Sequence, residues 1–321
     1  MFDRKTFVDM QTVDPPTLSS ECSVKVVATK VLGETLRQFT GQLTLLRSSD
    51  DTEVVHQARV AWRRFKTDLR LFKPALRDAQ TPSLTPLQLL LQGLGALRDL
   101  DVALTDTLPQ SRSSYIECSP KSSAAQARRR RTWRQLTRAL QHLADEQRRS
   151  LRRELQRTDV VATLLALSAW VDGLSVASSG EESASVPLRR WARQRLSRWH
   201  ARFKQAKKVA SKGVVKRASK SASKASIKTA RCNSSPERQH RVRILAKRLR
   251  YGVESLGYLL PAQRSRRWRQ QALDLQTTLG VSRDLLQAQS LATSVAADDD
   301  ILRFLQGLAD PSAERAAAQS S

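Results

Sequence analysis

A twelve-residue stretch, VHQARVAWRRFK at 55–66, returns in altered form as QHRVRILAKRLRY at 239–251. Placing His56 on His240 superimposes Arg59 on Arg243, Val60 on Ile244, Arg63 on Lys247, Arg64 on Arg248, Phe65 on Leu249, Lys66 on Arg250 and Leu69 on Val253. The likeness resumes downstream, where LGALRDLD at 94–101 answers LGVSRDLL at 279–286 and pairs Gly95 with Gly280, Arg98 with Arg283 and Asp99 with Asp284. The interval from histidine to glycine is 39 residues in the first copy (56 to 95) and 40 in the second (240 to 280). Two motifs recurring at nearly the same interval constrain the chain to two related halves.

Both motifs read as helix. Leu, Ala, Arg and Gln dominate, strand-like alternation is absent, and glycine and proline number only 11 each, a composition that favours helix nearly throughout. Periodicity places helices near 17–47, 51–73, 84–107, 124–157, 159–173, 186–203, 237–259, 262–292 and 299–308. Breaks fall at Pro15-Pro16, 48–51, Pro74, Pro82, Pro86, the Ser-rich 109–123, 180–187, Pro236 and Pro261. The expected fold is all-α, with two related helical halves forming one domain over 17–310. The first half takes 17–175 and the second 186–310, with tails at 1–16 and 311–321.

At about 100° per residue, positions +3, +7 and +10 from each histidine share one face. His56, Arg59, Arg63 and Lys66 therefore form one stripe, extended by Arg70, and His240, Arg243, Lys247 and Arg250 form the other; Glu254 stands where Arg70 stood. Arg64 and Arg248 flank the stripes. Phe65, Leu69 and Phe72, and Val242, Leu249, Val253 and Leu256, point the opposite way and should fill the core. A merely solvated face would mix signs to gain i,i+4 pairs, yet 55–66 holds no acid. Uncompensated like charges cost stability until a counter-charge arrives. A linear phosphate polymer suits such a stripe, which runs about 21 Å from position 56 to 70 at 1.5 Å per residue. Arginine holds phosphate bidentately, lysine acts as a point charge, and histidine donates and gains charge beside an anion.

The whole chain points the same way: Lys and Arg total 56 against 30 Asp and Glu, a formal charge of +26 over 321 residues, which attracts polyanions. Segment 204–235 contains no acid and no aromatic residue, and its lysines fall every fourth position from 204 to 228. Like charges at that spacing repel on a helix, so this low-complexity insert is expected to be disordered alone and to order on a polyanion. Cys22, Cys118 and Cys232 lack metal-ligand spacing and read as free thiols of a reducing compartment. The N-terminal residues carry no apolar run and no segment reaches a membrane span's length. A soluble, cytoplasmic protein is expected.

These residues resemble the conserved histidine α-helical domain, or CHAD domain, family. Its two copies of one helix carry His-x-x-Arg-Val/Ile-x-x-Arg/Lys-Arg-Leu-Arg, and the resemblance covers about residues 17–310. It implies an all-α fold of two related four-helix-bundle-like halves that binds inorganic polyphosphate through a basic surface or channel and associates with polyphosphate granules. Carried over by residue, the anion ligands are His56, Arg59, Arg63, Arg64 and Lys66, then His240, Arg243, Lys247, Arg248 and Arg250. Lys66-Thr67 departs from the more regular Arg250-Tyr251 of the second copy, and the basic insert is unusual. The Glu-x-Glu-x-Lys signature of the triphosphate tunnel domain that accompanies some members is absent.

No Walker loop, His-Glu-x-x-His or Ser-His-Asp arrangement accompanies His142 and His200, which read as surface histidines. Asp99, Asp101 and Asp284 read as ion bridges between helices in preference to metal ligands or bases. No catalysis, metal or cofactor is expected. The rival reading is general polyanion or nonspecific nucleic-acid binding. It is disfavoured by the lack of a helix-turn-helix signature and turns on whether Trp133, Trp191, Trp199 and Trp268 are exposed for stacking. A third reading makes the basic helix 126–140 a partner contact.

Overall fold

The computed structural model describes residues 22–76, 79–117, 123–176, 187–218, 236–278 and 280–309. Among the described residues there is no strand. In chain order the helices are α1 (Val24–Leu46), α2 (Thr52–Phe72), α3 (Gln88–Val102), α4 (Leu108–Glu117), α5 (Ser123–Glu154), α6 (Thr158–Val176), α7 (Leu188–Ala218), α8 (Pro236–Leu256), α9 (Ala262–Thr278), α10 (Gly280–Ser294) and α11 (Asp299–Ala309). The all-α expectation holds.

The ends of the two motif helices follow from local chemistry. Asp51 caps α2, its Oδ1 accepting from the Glu53 N–H at 2.8 Å, and Glu53 places a negative charge in the positive first turn. Pro74 stops the helix in a 3-10 turn, Lys73–Ala75, because proline offers no N–H to continue the ladder. Arg195 of α7 donates to the carbonyls of Leu71 (3.0 Å) and Arg70 (2.8 Å), satisfying acceptors that a helix end leaves open. Pro236 opens α8, followed by Glu237 in its first turn, where a missing N–H costs nothing.

Two readings of the sequence are corrected. The Ser-rich break 109–123 contains α4. A π-helical stretch, Ala103–Thr107, leads into it, widening the ladder where Pro109 can neither donate nor fit a regular turn. Ser111 then bonds back to the Thr107 carbonyl at 2.9 Å, and the buried Tyr115 packs on Trp133 and Phe304 at 5.2 Å each. Over 262–292 the described helices are α9 and α10, and residue 279 between them lies outside the described residues. The helix expected to end at 203 continues: α7 runs to Ala218, into the first part of the basic insert. Alanine and lysine propensity outweighs a repulsion of a few tenths of a kcal/mol per pair. Residues 219–235, the tails 1–16 and 311–321, and Cys118 and Cys232 lie outside the described residues; Cys22 is a free thiol.

The chain divides into two compact units, each drawn from three stretches of the sequence. The boundaries cut α1 after Thr35, α2 after Arg63 and α6 after Ser168, and the chain again after Gln80 and Thr277. The first unit gathers the start of α1, the end of α2 and α7, α8 and α9. Its core holds Val27, Leu32, Phe65, Phe72, Leu196, Trp199, Leu249 and Leu256. Phe72 stacks on Trp191 at 5.5 Å. Gly252 lets α8 approach α7, since a methyl there would stand 3.0 Å from both Leu196 and Trp199.

The second unit gathers the end of α1, the start of α2, and α3, α4, α5, α10 and α11. Phe39 and Trp62 pack at 4.9 Å with Val55, Leu94, Leu97, Leu140 and Leu151 in its core. A buried arginine organises this unit: Arg148 of α5 lies 3.5 Å from Asp101 of α3 and 3.7 Å from Asp50. Burial pushes the Asp101 carboxyl up to about 6, against the pull of Arg148 and Arg98. The ion bridge expected for Asp101 is therefore present, with its partner supplied by α5. Truncating a buried ion-pair partner leaves the other charge unsatisfied, so Arg148→Ala should cost about 3–5 kcal/mol in urea unfolding, and adding Asp101→Asn should recover part of that loss.

Candidate anion-binding site

The α2 stripe is shared between the two units, and each part has its own surroundings. In the second unit, His56, Arg59 and Arg63 are half-buried, with Arg98 of α3 and Arg283 of α10 joining them. Burial and then Arg63 lower the Arg59 guanidinium to about 10; Asp99 opposes this and Arg283 and Arg98 reinforce it. Arg59 has lost water while the cations beside it outweigh Asp99, an arrangement suited to receiving an anion. From sequence, the LG-x-x-RD motif is a source of ion bridges between helices, and Arg98 and Arg283 have no part in the anion stripe. The signal that places them here was the repeated LG-x-x-RD itself.

Gly95, the glycine of that motif, has a specific task. A methyl group added to it would lie 2.7 Å from Arg59 Nη1, so the guanidinium rests directly over the bare backbone of α3. His56 shares the cluster. Burial lowers its imidazole first, Arg98 next, and Arg63 and Arg59 add to this against Glu53. The ring is therefore neutral at neutral pH, and a bound anion would raise its proton affinity.

In the first unit the end of α2 meets α8. Lys66 and Arg70 are exposed, and Arg64, Arg243, Lys247, Arg248 and Arg250 are half-buried. Burial lowers Arg248, and Arg70 adds to this, which puts cations of both motifs in one electrostatic neighbourhood. Glu254 moderates the cluster: its carboxylate lies 3.3 Å from Arg64 Nη2 and 3.6 Å from Arg250 Nε. Arg250 also covers the Tyr251 ring at 4.6 Å. The matching histidine, His240, is exposed, so the two histidines of the repeat occupy unlike surroundings.

The remaining candidates sort cleanly. His142 is exposed and 3.5 Å from Glu146. His200 is not a surface residue: it is half-buried, stacked on Trp268 at 4.5 Å and 12°, and 3.2 Å from Gln271. Trp133, Trp199 and Trp268 are buried and Trp191 is half-buried, so none of the four offers an open face to a base. Among the described residues no group of three or more His, Cys, Asp or Glu could hold a metal, and no helix is long and apolar enough to cross a membrane. On basic helix 126–140, Arg128, Arg130, Arg131, Arg134 and Arg138 are exposed.

The profile of the CHAD domain family matches residues 30–293. No curated protein matches the sequence. Two solved structures are similar. The crystal structure of the CHAD domain from the plant Ricinus communis has a TM-score of 0.62 at 23% identity, covering 91% of this chain and 87% of that one. PptA from Streptomyces chartreusis has a TM-score of 0.45 at 15% identity, covering 90% and 93%.

Because a methyl at Gly95 meets the end of a flexible side chain, Arg59 Nη1 and Cζ, Gly95→Ala should leave stability unchanged or raised by up to about 1 kcal/mol of helix propensity. The same substitution should weaken polyanion binding about tenfold by displacing Arg59, since a charged hydrogen bond contributes about 1.5–3 kcal/mol. Parallel urea titration and binding isotherms test both halves.

Proposed function

The chain is a member of the CHAD domain family, and we propose that it binds inorganic polyphosphate without catalysis, at polyphosphate granules. The observation that carries this reading is Arg59, half-buried among Arg63, Arg98 and Arg283 with Asp99 opposing them. A polymer bearing a charge on every phosphate supplies several counter-charges at once, at a spacing that a row of arginines one turn apart can follow. Guanidiniums clamp the nonbridging oxygens, Lys66 and Arg70 add open positive charge, and His56 takes up a proton as the anion arrives.

Burial of the tryptophans supports this reading over recognition of single-stranded nucleic acid, which relies on exposed rings for base stacking. General attraction to any phosphate backbone remains the second reading, favoured by the exposed arginines of α5. Competition separates them. Labelled polyphosphate, bound near physiological salt, is challenged with duplex DNA, single-stranded RNA and orthophosphate at equal phosphate concentration. Displacement by unlabelled polyphosphate alone supports a dedicated site; equal displacement by nucleic acid replaces it with general polyanion binding.

Replacing Arg59, Arg63, Arg243 and Lys247 together by alanine should lower polyphosphate affinity by on the order of 100-fold or more, and should flatten the dependence of log K on log salt. Unchanged affinity in the folded variant moves the site elsewhere. Orthophosphate release from polyphosphate by the wild-type protein would overturn the non-catalytic part of the reading.

A further inference from the structure

Asp68 lies on α2 one turn beyond Arg64, and it is fully buried in the first unit. Its Oδ1 is 2.6 Å from Ser255 Oγ of α8, while its Oδ2 is buried without a hydrogen-bond partner. Ser255 Oγ is also 3.1 Å from the carbonyl of Tyr251. A serine hydroxyl has one proton to donate, and two acceptors stand within its reach. Both contacts form together when Asp68 is protonated: the carboxyl O–H donates to Ser255 Oγ, and Ser255 donates to Tyr251 O.

Arg64 supplies the second observation. Its Nη2 is engaged with Glu254, which adjoins Ser255, but its Nε is buried without a hydrogen-bond partner. An unsatisfied donor on residue 64 and an unsatisfied acceptor on residue 68 thus sit at i and i+4 of one helix, where side chains are neighbours. Buried polar groups rarely stay unpaired in this way.

We propose that Asp68 is a proton-operated latch on Arg64. Protonated, it leaves Arg64 beside Glu254, within the cationic cluster of α2 and α8. Ionised, it releases its proton to solvent, turns the Ser255 hydroxyl from Tyr251 O to Oδ1, and draws Arg64 Nε onto Oδ2. The arginine is then withdrawn from the anion site, so affinity for polyphosphate falls as pH rises through neutrality, a consequence that rests on the polyphosphate reading above.

Electrostatics put the transition in a useful range. Burial pushes the Asp68 carboxyl up to about 7; the Ser255 hydrogen bond and Arg64 pull it down, and Glu254 pushes it up. The charged groups acting on it are therefore Arg64 from its own helix and Glu254 from α8. From α7, Arg195 is engaged with the Leu71 and Arg70 carbonyls. Because the folded value lies above the unfolded carboxylate value, the linked stability is full at low pH and is lost as pH rises toward about 7.

The test follows the full-length protein from about pH 5 to about pH 9, a range that spans the raised carboxyl. The Arg64 Nε–H resonance should move to a hydrogen-bonded position as pH crosses neutrality in the wild type and stay still in Asp68→Asn, with or without ligand. Wild-type affinity for inorganic polyphosphate should fall about fivefold more than that of Asp68→Asn over the same range, the lower end of ordinary site-to-site coupling. Comparing the two proteins cancels the titration of His56 and His240. A carboxyl infrared band of Asp68 that titrates in the ordinary carboxylate range overturns the latch, as does an Arg64 resonance indifferent to pH. Identical pH profiles of binding overturn its link to the site. If neither protein binds polyphosphate while the Arg64 resonance still moves, the latch stands and the polyphosphate reading fails.

Discussion

The structure depends on how α2 reconciles two demands made on one helix. One side buries Val55, Ala58, Trp62, Phe65 and Phe72, and the other carries His56, Arg59, Arg63, Arg64 and Lys66. Amphipathic helices usually separate such faces by leaving the charges in water. Here Arg59, Arg63 and Arg64 are half-buried, so α2 brings cations close to the core and must hold them there. The means are local and differ along the helix. Gly95 admits the Arg59 guanidinium against bare backbone, whereas Glu254 receives Arg64 together with Arg250.

Much of this was legible in the chain. The 3.6-residue period of Phe65 and Phe72, and of Val242, Leu249, Val253 and Leu256, predicts which faces turn inward, and those side chains are buried; Leu69 is half-buried. Helix ends at Pro74 and Pro236 follow from a missing N–H. What escaped was long-range pairing. Glu254 lies 190 positions from Arg64, and no local rule predicts that an acid on α8 answers a cation on α2. Arg98 and Arg283 were visible as a repeat but were not placed with the stripe, because a repeated motif says little about which way a helical side chain points. The helix α4 was missed for a related reason: serine-rich composition resembles a loop until Tyr115 finds Trp133 and Phe304.

Arginine has two separate occupations in this protein. Arg195 and Arg152 close helix ends, Arg152 by donating to the carbonyls of Leu46 and Ser49 at 3.2 and 3.1 Å, and Arg148 ties α5 to Asp101 and Asp50. These guanidiniums are committed to fixed acceptors, which suits a planar fork with several donors. A net charge of +26 therefore overstates what is offered to a ligand.

Arg59 is of the other kind: burial and the neighbouring charges of Arg63, Arg283 and Arg98 outweigh the pull of Asp99 on its guanidinium. Hydrophobic burial of the opposite face of α2 offsets the cost of holding that charge close to the core. Under the function proposed above, an anion would relieve that cost, and a polymer with contiguous charges would reach the neighbouring cations as well, where an isolated phosphate would not. Selectivity for chain over monomer then needs no feature that reads the ligand's ends. It follows from crowding guanidiniums closer than their own charges would allow.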